Sequence, residues 1–68
     1  MTTDTEARVQ AAIMEILENS RYAFEVKELA VISGFSNEEA EAAIKVLHDN
    51  RMIHKRTNRG VVFYFVKH

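Results

Sequence analysis

The chain predicts an α+β domain of three helices followed by a C-terminal β-hairpin. Three observations carry that prediction. Apolar residues recur at helical spacing behind the polar starts Thr3 and Ser36. Gly34 separates two such stretches. After Asn50 the pattern changes to residues that favour strands, broken once by Asn58-Arg59-Gly60. Sixty-eight residues make one domain, 1–68, with a thin core. With no cysteine, the domain relies on packing, alone or with a partner chain.

The first helix is expected from about residue 4 to 19. Thr3 and Glu6 have the spacing of a capping box, and Val9, Ala12, Ile13, Ile16 and Leu17 form one stripe. Tyr22 to Val26 suits a brief extended segment. The second helix is expected over 27–33, with Leu29, Ala30 and Ile32 inward and Gly34 as its stop. The third is expected over 36–50. Ser36 and Glu39 form its capping box, and Ala40, Ala43, Ile44 and Leu47 form its inner stripe.

The hairpin is expected over 52–66, with strands 52–57 and 61–66 joined by a three-residue turn whose glycine takes a left-handed bulge position. Residues 61–66 are apolar at both parities. Placing Val61, Phe63 and Phe65 inward buries the larger area. Val62, Tyr64 and Val66 then form an outward row beside Met52, a surface for a protein partner or a second copy of the chain.

Leu29-Ala30, Gly34-Phe35-Ser36, Ala40, Ile44, Leu47 and Met52-Ile53, in this order of elements, resemble the winged helix-turn-helix superfamily over essentially the whole chain. The resemblance implies a third helix that enters the DNA major groove and a hairpin, the wing, beside it. Many members instead recognise proteins, so the residues themselves have to choose.

Net charge is −1, but its distribution is uneven. Residues 1–50 hold all ten carboxylates against Arg8, Arg21, Lys27 and Lys45, a net of −6. Residues 51–68 hold Arg51, Lys55, Arg56, Arg59 and Lys67 and no acid, a net of +5. The outward face of the third helix carries Glu38, Glu41, Ala42, Lys45 and Asp49, which repels phosphate on balance. Asn37 and Lys45 are its candidates for base contact, and Lys55, Arg56, Asn58 and Arg59 are the wing's candidates for phosphate contact. Double-stranded DNA is thus the expected partner, bound through the wing by a transcriptional regulator or accessory protein. Protein recognition is the alternative, consistent with the acidic helix.

His48, His54 and His68 have no metal-ligand spacing, and no phosphate loop, nucleophile elbow or paired-acid motif is present. The expectation is no enzyme, no metal and no cofactor. No apolar run reaches the roughly 20 residues that span a bilayer, and the N-terminus lacks the pattern of a secretion signal. A cytoplasmic location without membrane attachment is expected.

Overall fold

The structure, a computed structural model, describes residues 4–67. Its elements are α1 (Asp4–Glu18), α2 (Val26–Ser33), α3 (Asn37–Asp49), β1 (His54–Asn58) and β2 (Val61–Phe65). Three helices and a two-stranded antiparallel sheet in this order are compatible with a winged helix. The proposed cap at Thr3 lies outside the described residues.

Local chemistry sets most boundaries. α3 starts where expected: the Glu39 N–H donates to Ser36 Oγ and the Ser36 N–H donates to Glu39 Oε1, both at 3.1 Å. α2 starts one residue early, at Val26, because Glu25 is its cap and the Glu25 N–H donates to Glu28 Oε1 at 3.0 Å. Two N-terminal donors of these helices thereby find carboxylate acceptors. Gly34, at φ 81°, ends α2 and donates to the Ala30 carbonyl at 2.9 Å. Glycine adopts this left-handed conformation without a Cβ penalty.

α3 ends differently. Arg51 takes the left-handed position at φ 61°. Its N–H donates to the His48 carbonyl and that of Met52 to the Leu47 carbonyl, both at 2.9 Å, which is a Schellman pattern. This turn occupies residues 50–53, so β1 starts at His54 and not at Met52 as the sequence suggested.

The core is one cluster. α1 contributes Val9, Ile13 and Leu17; α2 contributes Leu29 and Ala30; α3 contributes Ala40, Ala43, Ile44 and Leu47; and Ile53 closes the bottom. Ala12 and Ile16 are half-buried on the flank of the α1 stripe. Ile32, expected inward, is 55% exposed. At about 100° per residue it lies about 110° from the midpoint of Leu29 and Ala30, too far round a short helix to share their face.

The hairpin shows two corrections. The paired residues run from His54↔Phe65 to Asn58↔Val61, which leaves a two-residue loop, Arg59-Gly60, in place of the expected three. Both loop residues have positive φ (52° and 79°), the combination of a type I′ turn, whose twist matches that of the flanking strands. The second correction is the parity of β2. Tyr64 and Val66 pack against the helical core, and Val62 shares their face by alternation. Val61, Phe63 and Phe65 lie on the opposite face of the strand by alternation.

The reason is backbone pairing upstream. Phe24 N–H donates to the Tyr64 carbonyl at 2.9 Å, and Tyr64 N–H to the Phe24 carbonyl at 2.8 Å. Directly opposed residues share a face, and Phe24 packs on the core, so Tyr64 must as well. The outward row of Val62, Tyr64 and Val66 therefore does not exist; of that group only Met52 is well exposed, at 49%. The phenylalanines escape full exposure because His54 and Arg56 lie across from them on the outer face.

Relieving the left-handed turn after α3 should stabilise the fold. A non-glycine residue there costs about 1–2 kcal/mol, partly offset by the freedom glycine gains on unfolding. Arg51→Gly is expected to raise the free energy of unfolding by about 0.5–1 kcal/mol, read from the urea midpoint at constant m-value.

Candidate nucleic-acid interface

The candidate residues lie on two elements and divide between two faces. α3 presents Asn37 in its first turn and Lys45 two turns on, both exposed. Glu38, Glu41, Ala42 and Asp49 are exposed with them, so the acidic character of this face is real. Glu39 is also exposed, but its carboxylate is engaged in the capping box.

Strand alternation separates neighbours in sequence. Lys55 sits opposite Tyr64 on the helical side of the hairpin, and Arg56 sits opposite Phe63 on the outer side. Lys55 and Lys45 both line an open depression of about 480 Å³ between α3 and the hairpin, together with Glu41 and His48. The structure thus brings these two lysines to one surface. Asn37 reaches a second depression beside Gly60 and Val61, where the hairpin tip meets the first turns of α2 and α3.

Arg56 is not part of that groove. Its guanidinium lies over the Phe65 ring, 5.4 Å from the centroid, and the His54 ring stacks on the same phenylalanine at 5.4 Å with 29° between planes. Asn58 closes the strand pairing, and Arg59 occupies the turn itself; both are exposed. Lys27 pairs with Glu25 at 3.4 Å at the start of α2, and among the described residues no such pair within 4 Å involves Lys55, Arg56 or Arg59. The arginines and lysines of the hairpin therefore make none with the acids of the helices, and their charge remains available to a partner.

Sequence reasoning missed Arg51, His54, Phe65 and Lys67, which gather at the open end of the hairpin. Their grouping depends on the parity of β2 and on the turn at Arg51. The signal available in sequence was Phe24, an apolar residue in an extended segment that could fix the face of its partner strand. Among the described residues no group of three or more His, Asp or Glu side chains could hold a metal ion. None of the described helices is long and apolar enough to cross a membrane.

No protein family and no curated protein matches the sequence. Among solved structures, the chain is similar to part of human N-acetylserotonin methyltransferase, crystallised with SAM, at 16% identity and a TM-score of 0.77. The match covers 93% of this chain but 18% of that one. At this identity the likeness concerns the fold of one small region, and the chemistry of the larger enzyme is not carried with it.

The Arg56–Phe65 contact is measurable. In a double-mutant cycle with Arg56→Ala and Phe65→Leu, a coupling of about 0.5–1 kcal/mol is expected for an exposed cation–π pair, read from unfolding free energies. Additive effects would show that the contact contributes nothing to stability.

Proposed function

We propose that this domain is a winged helix that binds duplex DNA without catalysing a reaction, with the hairpin making the leading contacts. The observation that carries this reading is the unneutralised charge of the hairpin: Lys55, Arg56 and Arg59 are exposed and lie within 4 Å of no acid among the described residues. Arginine offers phosphate a planar fork of donors, and lysine a point charge. Arg59, held in a tight turn at the hairpin tip, can enter a groove.

In this reading α3 plays a secondary part. Lys45 and Lys55 flank one depression and can hold the same phosphate run, while Asn37 can pair with an adenine edge. Glu38 and Glu41 oppose phosphate along that surface and lower affinity. Such a domain binds with modest strength and a clear salt dependence.

A second reading, recognition of a protein, has its own support. α2 exposes Val31 at 81% and Ile32 at 55%, beside Lys27 and Glu28. Adjacent exposed aliphatic residues on a small domain form a docking patch of the kind protein partners cover. Val31→Ser with Ile32→Ser would remove that patch and leave the hairpin intact.

Duplex binding at rising salt tests the first reading. If about three phosphates are neutralised, the logarithm of the affinity should fall against the logarithm of salt with a slope of about −3. Arg56→Glu with Arg59→Glu should abolish binding, whereas Glu38→Gln with Glu41→Gln should strengthen it. Duplex affinity that is unchanged by the arginine reversals would overturn the assignment.

A further inference from the structure

The open end of the hairpin carries a surface that duplex contact does not explain. Between the C-terminal end of α3 and the start of β1 lies an open depression of about 730 Å³. One wall is aromatic: the stacked rings of His54 and Phe65. Ile53, buried in the core, lies at its floor. Arg51, Lys55 and Lys67 stand around it, all three exposed. His48 and Asp49 close the α3 side, and Asp49 is the one carboxylate in the lining.

The combination limits what can fill the depression. A simple inorganic anion would satisfy the three cations and leave the rings without a role. An uncharged apolar ligand would do the reverse. Duplex DNA brings phosphates, but its bases are stacked inside the helix and offer the rings no face. A nucleotide in a single strand brings both parts, a free π-face and flanking phosphates.

We infer that this depression binds an unpaired nucleotide of a single-stranded nucleic acid. The base lies against the exposed His54 ring, which Phe65 backs, and the adjoining phosphates meet Arg51, Lys55 and Lys67. Arg56, already over Phe65, extends the cationic path along the outer face of the sheet toward the tip. The site goes beyond the proposed duplex contact: it shares Lys55 and Arg56 with that reading but adds Arg51, His54, Phe65 and Lys67, at the end of the hairpin opposite Arg59.

The test is fluorescence anisotropy of the full chain with a labelled oligothymidylate at low salt, and with a duplex of equal length. Phe65→Leu is expected to weaken oligothymidylate binding about tenfold, the loss of one stacked base. Arg51→Gly removes a cation while easing the backbone, and its urea midpoint, measured alongside, separates a lost contact from a lost fold. Arg59→Gln should weaken duplex binding more than oligothymidylate binding, and Phe65→Leu should do the reverse, an order of effects that separates this site from the tip. Should Phe65→Leu melt early, the ring protons of His54 and Phe65 provide a second readout, shifting in NMR spectra of the wild-type chain as oligothymidylate is added. The proposal is overturned if the oligonucleotide does not bind at low salt, if those ring signals stay fixed on binding, or if inorganic polyphosphate of equal charge displaces it equally well.

Discussion

One pair of backbone hydrogen bonds governs the surface of this domain. Phe24 and Tyr64 exchange N–H···O bonds of 2.9 and 2.8 Å across the edge of β2. Because side chains alternate along a strand, fixing Tyr64 toward the helices fixes every residue of β2, and through the hairpin every residue of β1. Val62, Tyr64 and Val66 go in; Phe63 and Phe65 go out; Lys55 lands on the groove beside α3, and His54 and Arg56 on the outer sheet. A slip by one residue would return the phenylalanines to the core and dissolve the aromatic wall, the cation–π contact and the depression at the hairpin base together. The linkage also ties the segment between α1 and α2 to the hairpin, so the sheet is anchored to the helical layer by backbone hydrogen bonds as well as by packing.

Charge follows the same division of labour. Several carboxylates of the helical half serve helix starts: Glu28 and Glu39 accept from cap N–H groups, and Glu38 sits in the first turn of α3 where the helix dipole favours it. These placements support short helices in a domain with little core, without disulfides. Their consequence is an acidic α3 surface. Cations are then concentrated where no helix start requires acids, on the hairpin. The electrostatic asymmetry follows from this, and it is why the proposed contacts favour the hairpin over α3.

Much of the fold was legible in the sequence, for identifiable reasons. Ser36 with Glu39 marked the cap at which α3 starts, Gly34 marked the end of α2, and the stripes of α1 and α3 named the core. These signals are local, set by spacing within one helix. What the sequence left hidden depends on contacts between distant segments. Residues 61–66 are apolar on both faces, so alternation could not orient them, and an argument from area chose wrongly because it left out Phe24, forty residues upstream of Tyr64. Ile32 failed for a related reason: α2 is eight residues long, and its face was already filled by Leu29 and Ala30. The candidate residues Lys45 and Lys55 were legible as charges, but their shared groove was not, and Arg56 was separated from Lys55 by the pleat.

The two ends of β1 share a feature that ties stability to the proposed roles. Among the described residues, the non-glycine positions with positive φ are Arg51 and Arg59, one just before the strand and one just after it. Each occupies a place where glycine or asparagine is easier for the backbone, and each puts a guanidinium on the surface there. Strained residues persist when their surroundings hold them: the Schellman bonds hold Arg51, and the paired strands hold Arg59. Under the proposed reading both arginines contact nucleic acid, one beside the aromatic wall and one at the tip, and the strain is the cost of placing charge at both ends of a rigid strand. Replacing either with glycine then separates two quantities that rise and fall together in most surface changes: the fold gains stability while the domain loses binding.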